Sequence, residues 1–103
     1  MSYQAFTYRY QFLLRKAEEL HKQVVAGRKE VLGSGDTDTL SSMTDLSFIY
    51  RDQYRWKQAE DLQKQVVEIR QRVFGPKHPD TLVSLDSLAL ILNDPDRQQE
   101  GNR

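Results

Sequence analysis

The chain has 103 residues, with 15 Lys and Arg balanced by 15 Asp and Glu, no cysteine, a 38% hydrophobic share and a mean hydropathy of −0.73. That is one domain at most, long enough to bury a modest core but too short for two lobes around a cofactor. Zero formal charge and a pI near 6.7 speak against a nucleic-acid footprint, and the missing cysteines remove disulfides, thiolate metal sites and thiol nucleophiles. The longest apolar run, Leu88 to Leu92, falls far short of the roughly 20 residues that span a bilayer. The start, Met1-Ser2-Tyr3-Gln4, has neither the basic opening nor the apolar stretch of a secretory signal, so a cytoplasmic protein is expected. Glycine and proline are scarce, five and three, and most of them sit at segment junctions, which points to an all-α chain.

The chain repeats itself. Ala17-Glu18-Glu19-Leu20-His21-Lys22-Gln23-Val24-Val25 lies over Ala59-Glu60-Asp61-Leu62-Gln63-Lys64-Gln65-Val66-Val67 at an offset of 42 residues. Residues 4–51 set against 46–93 give 20 identities in 48 positions, too many for unrelated segments, so a duplicated structural unit is the economical reading. Units of about 4–45 and 46–92 follow, within a helical region of 3–93.

In chain order, the first element is a partial helix over about 3–11. It is followed by, or continuous with, a long helix to Leu32 on which Ala17, Leu20, Val24 and Val31 form one apolar face. Gly27 interrupts that face, which either weakens the helix or marks a close neighbour. A helix at 38–53 carries the seam Leu40, Met43, Leu46 and Tyr50. A third at 56–74 carries Ala59, Leu62, Val66, Ile69 and Val73, and a fourth spans 79–92. Asp36, Asp38 and Pro79-Asp80 are helix-start signals, while Gly33 and Gly75 stand where helix ends favour glycine. Asn93-Asp94-Pro95 breaks the pattern, and 94–103 reads as a flexible polar tail.

The segment from Tyr50-Arg51-Asp52-Gln53-Tyr54-Arg55-Trp56-Lys57-Gln58-Ala59-Glu60 through Val73-Phe74-Gly75-Pro76-Lys77-His78-Pro79-Asp80-Thr81-Leu82 resembles the tetratricopeptide repeat. The likeness is to the long 42-residue type of kinesin light chains and of fungal nucleotide-binding receptor arrays, the wording being nearest the fungal arrays. The resemblance implies an α-solenoid fragment of antiparallel helix pairs, about two and a half repeats long, serving as a non-catalytic protein-interaction module. It departs from the family in two places. Tyr54 stands where glycine is usual, and Phe12-Leu13-Leu14-Arg15 replaces the turn altogether in the upstream copy, which favours one continuous helix. The chain starts and stops part-way through a unit, so a fragment of a longer array is expected, with self-association or partner binding through its end helices.

The family's groove positions fall on Phe6, Arg9, Tyr10, Thr44, Phe48, Arg51, Asp52, Asp86 and Leu90. Arg9 and Arg51, one repeat apart, with Phe6 and Phe48 beside them, would suit an acidic peptide carrying an apolar side chain. The plainer reading makes the arginines solvated residues paired with Asp45 or Asp52. The rival functions are a self-associating helical hairpin of coiled-coil character and a remnant of a larger receptor array.

No enzyme, cofactor or metal site is expected. His78-Pro79-Asp80 spells the tripeptide of J-domain co-chaperones, but a helix start explains it. His21 stands where the other copy has Gln63, so the two are expected to do one job. Glu18-Glu19 and Glu60-Asp61 read as adjacent residues on solvated helix faces, not carboxylates facing across a cleft. Gly33-Ser34-Gly35 lacks the glycine pattern and the preceding strand of a phosphate loop. Trp56 and Tyr50 read as packing residues at the turn.

Overall fold

The computed structural model describes residues 3–97, with side chains from Arg9 onward. Four helices follow one another: α1 (Tyr3–Leu32), α2 (Thr37–Asp52), α3 (Trp56–Phe74) and α4 (Pro79–Leu92), with no strand among the described residues. Each packs on the next, and α2 also touches α4, so α2 and α4 form an inner layer with α1 and α3 outside it. The 3–11 helix and the helix to Leu32 are one element. At a rise of 1.5 Å per residue, its 30 residues span about 45 Å, which accounts for most of the molecule's longest dimension of 47 Å.

The turns before α2 and α4 are built twice from the same parts. Gly33 and Gly75 both adopt φ +93°, a conformation that L side chains resist, and their amides bond the Lys29 and Gln71 carbonyls at 3.0 Å. Asp36 then caps α2, its carboxylate accepting the Asp38 amide at 2.9 Å. In the second copy the cap is His78, whose Nδ1 accepts the Asp80 amide at 3.1 Å, with Pro79 as the first helical residue. The His78 ring stacks on Phe74 at 4.7 Å, so the His-Pro-Asp tripeptide is a helix start. Arg28 and Arg70, one repeat apart, reach the main-chain carbonyls of Asp38 and Asp80 at 3.0 and 3.3 Å.

The turn between α2 and α3 has no glycine. The Arg55 amide bonds the Tyr50 carbonyl and the Tyr54 amide bonds the Arg51 carbonyl, both at 2.9 Å, with Tyr54 left-handed at φ 61°. That is a Schellman closure with tyrosine where glycine is favoured. Tyr54 meets Trp56 edge-on at 5.7 Å, and Trp56 is buried, as is Tyr50. The aligned Gln11-Phe12-Leu13 stay helical inside α1, because nothing there favours a left-handed residue.

The core centres on α2 and α3: Leu40, Met43, Leu46 and Tyr50 pack with Ala59 and Val66, joined by Val25 from α1 and Ile91 from α4. Among the described residues nothing lies within 4 Å of where a Gly27 Cβ would stand, so no close neighbour within the chain accounts for this glycine. The first residues of the expected tail are described: the Asp94 carboxylate accepts the Asp96 amide at 2.9 Å, and Arg97 reaches α3. Residues 98–103 lie outside the described residues.

Candidate interaction face

The expected groove residues divide into three groups. Tyr10, Arg51 and Asp52 come together in a cleft of about 170 Å³, which Tyr54, Trp56, Asp94 and Asp96 also line. Phe48 does not line it but is half-buried under Arg51, whose guanidinium stands 4.8 Å from its ring centre. Arg9, Asp86 and Leu90 are exposed and Thr44 is half-buried, none of them lining the cleft. The Phe6 side chain lies outside the described residues.

The cleft is assembled by the repeat. Asp52 and Asp94 are the same position in successive copies, as are Tyr54 and Asp96. Its charge is mixed: Arg51 pairs with Asp52 at 3.4 Å, with side chains 28% and 38% exposed, so this pair is worth little in stability. The pairing fits the plainer reading of Arg51. Three carboxylates against one guanidinium leave the expected acidic ligand without support at this point. Tyr54, Trp56, Asp94 and Asp96 were not anticipated as lining residues; the offset of 42 carried past residue 93 would have located the last two.

The carboxylates of the two copies overturn an expectation. Glu19 and Asp61 are solvated, but Glu18 and Glu60 are turned inward, their side chains only 12% and 8% exposed. Glu18 accepts from Lys22 at 2.8 Å, Arg55 at 2.6 Å and Gln53 at 3.0 Å. Glu60 accepts from Lys64 at 2.8 Å and Arg97 at 2.5 Å. Lys22 and Lys64 are one repeat apart, and so are Arg55 and Arg97. Each glutamate therefore ties an outer helix to the turn one unit later. Arg55 is held in place by lying 4.6 Å over the Tyr50 ring.

Hydrogen bonds from Lys64 and Arg97 hold the Glu60 carboxyl down at about 2 despite its burial. Burial pushes Glu18 upward, but hydrogen bonds from Lys22 and Gln53 and the charge of Arg55 outweigh it, leaving a net lowering. Carboxylates so stabilised are poor proton donors or acceptors near neutrality; their role is structural.

His21 does not do the work of Gln63. Gln63 is fully buried between the inner helices, accepting from Ser47 Oγ at 3.2 Å and donating to the Ser84 carbonyl at 3.1 Å. His21 is half-buried and bonds only the Ala17 carbonyl of its own helix, at 3.0 Å. Among the described residues α1 packs on one inner helix, α2, whereas α3 lies between α2 and α4. Among the described residues no three His, Asp or Glu side chains are placed to hold a metal ion, and no helix is long and apolar enough to cross a membrane.

No curated protein matches the chain. The family model for the tetratricopeptide repeat matches residues 2–38 and 39–80, its second match as long as the 42-residue period. Repeats of this kind generally mediate contacts between proteins. The duplicated turns, the alternating inner and outer helices and this match agree, and the chain belongs to the tetratricopeptide-repeat family.

Proposed function

We propose that the chain is a non-catalytic module that holds a peptide or protein partner along the inner face of α2 and α4, with the cleft at Arg51 as its anchor point. The observation that carries this reading is the convergence of Tyr10 from α1, Arg51 and Asp52 from α2, and Asp94 and Asp96 from beyond α4 on one concave spot. Concave sites with aromatic walls and a few placed charges are where binding energy concentrates. Tyr10 and Tyr54 offer ring surface, and Asp52, Asp94 and Asp96 outnumber the single guanidinium. A lysine or arginine of the partner fits this lining better than an acidic residue, by charge and by the affinity of cations for aromatic faces.

Selection of peptides from a displayed random library against the whole chain tests the reading. Enrichment of basic residues, with binding reduced about tenfold by Asp94→Asn/Asp96→Asn and unchanged by Gln65→Ala on the outer face, is the expected result. Enriched acidic peptides that depend on Arg51 would restore the acidic-ligand reading. Peptides indifferent to every change on the inner face would sink both.

A further inference from the structure

The two copies treat one segment differently. In the second, residues 46–53 end in the Tyr54 turn, and α2 folds back along α3. In the first, residues 4–11 keep Phe6, Tyr8, Arg9 and Gln11 in the places of Phe48, Tyr50, Arg51 and Gln53, yet run straight on into α1. The flank of α1 that such a segment would cover is left bare. Val24 is 40% exposed where its counterpart Val66 is 0% exposed, and Leu20 is 61% exposed where Leu62 packs against the core. His21 bonds its own helix where Gln63 bonds α2. Phe12 and Leu13, at the missing turn, are more than half exposed.

We propose that a second copy of this chain covers that flank, by exchange of residues 4–11 between two antiparallel α1 helices. A segment in line with its own helix cannot fold back on it, but it can lie along residues 14–21 of another copy as 46–53 lie along 56–63. The register follows from the pairing of Ser47 with Gln63. Moved back by 42 residues, it sets position 5 of one copy opposite His21 of the other. Because 5 and 21 are centred on 13, the same contact recurs with the copies interchanged, and the interface closes on a two-fold axis beside Leu13. Phe12 and Leu13 are then covered by their own counterparts. Arg9 of each copy comes within a turn of the partner's Glu19, an opposite charge. The occupant is thus a segment already matched to α1-type surfaces, which is what distinguishes a second copy from an unrelated helix. The exchanged segment shares Tyr10 with the partner-binding cleft, but a monomeric chain keeps the cleft as it stands, so failure of the exchange leaves that reading untouched.

The natural absence of cysteine makes the register directly testable. The expected results are a dimer mass by light scattering at tens of micromolar and near-complete disulfide dimer from Leu13→Cys under mild oxidation. Leu20→Cys should give little, because two such residues would stand about 21 Å apart along the axis. Phe12→Gly, which offers the turn its missing left-handed residue, should shift the mass toward monomer with helical content retained. A monomer of the unaltered chain at tens of micromolar would overturn the proposal. So would equal cross-linking at positions 13 and 20, or a Leu20→Cys chain that traps a Leu82→Cys chain, which would put α4 on the flank instead.

Discussion

α1 and α3 carry the same residues at Ala17 and Ala59, Glu18 and Glu60, Lys22 and Lys64, Val24 and Val66, and Val25 and Val67, but they occupy different environments. α3 lies between two inner helices, and both Val66 and Val67 are buried. Among the described residues α1 packs mainly on α2, and Val25 is buried while Val24 is 40% exposed. Identical side chains thus acquire different energetic weight from their neighbours alone. In a solenoid, stability resides in the interfaces between units more than in the units themselves.

The largest test of that contrast is at the pair Gln63 and His21. Gln63→Ala leaves a cavity where a fully buried side chain stood and removes its bonds to Ser47 Oγ and the Ser84 carbonyl, although Ser47 Oγ keeps the Thr44 carbonyl, so a loss of about 3 kcal/mol is expected in urea denaturation. His21→Ala gives up one local bond and should cost less than about 1 kcal/mol. Equal costs would mean that α1 is covered as fully as α3, which is also what the α1 exchange would produce. Comparing the His21→Ala cost above and below the concentration at which dimers form separates the two cases.

Acid titration probes the glutamate pair. Glu60 titrates at about 2 in the folded chain against an ordinary 4.5, so between those values the unfolded chain binds more protons. Its contribution is therefore complete above about pH 5 and is lost as the pH falls toward 2. At 1.4 kcal/mol per unit the ceiling is about 3.5 kcal/mol, reduced in practice because Lys64 is more than half exposed. Glu60→Gln should flatten the acid limb of the stability curve by about 2 kcal/mol. Glu18→Gln should act in the same direction, since its carboxyl is also lowered. An acid limb unchanged in both variants would show that these ion pairs are exchanged for water without cost.

The glutamates also mark how far the sequence could be read. Helix boundaries were legible within a residue or two, because apolar spacing, Gly33, Gly75 and Pro79 are local signals. The continuity of α1 was legible in Phe12-Leu13-Leu14-Arg15, which stand in place of the turn. Burial of Glu18 was not, since it depends on Arg55, 37 residues further along, and that arginine is positioned by Tyr50. The lining at Asp94 and Asp96 was hidden for a related reason: identities between the copies thin out at residue 93, although Asp94 and Arg97 still keep the pattern.

A smaller effect separates Gly27 from its counterpart Ile69, which packs against the core. With nothing within 4 Å of the added methyl, Gly27→Ala should stabilise the chain by about 1 kcal/mol through helix propensity alone. Thermal denaturation followed by circular dichroism checks it. A neutral or negative result would mean that a neighbour approaches α1 at this point.

Tyr54 offers the smallest net change and the sharpest balance of effects. Holding an L residue in the left-handed region costs about 1–2 kcal/mol, which glycine would recover. Against that, glycine adds about 0.5–1 kcal/mol of backbone entropy to the unfolded chain and gives up the edge-on contact with Trp56, itself worth about 0.5–1.5 kcal/mol. The terms nearly cancel, so Tyr54→Gly should move stability by less than about 0.5 kcal/mol in either direction. Tyr54→Ala keeps the strain and loses the ring, and should cost about 1 kcal/mol. The ranking of the two variants carries the information. Glycine above alanine means that backbone strain governs this turn and that the tyrosine offsets it through Trp56. Alanine above glycine would mean that the left-handed residue is unstrained here, and the straight course of α1 through Phe12 would then need a cause other than the lack of a residue suited to the turn.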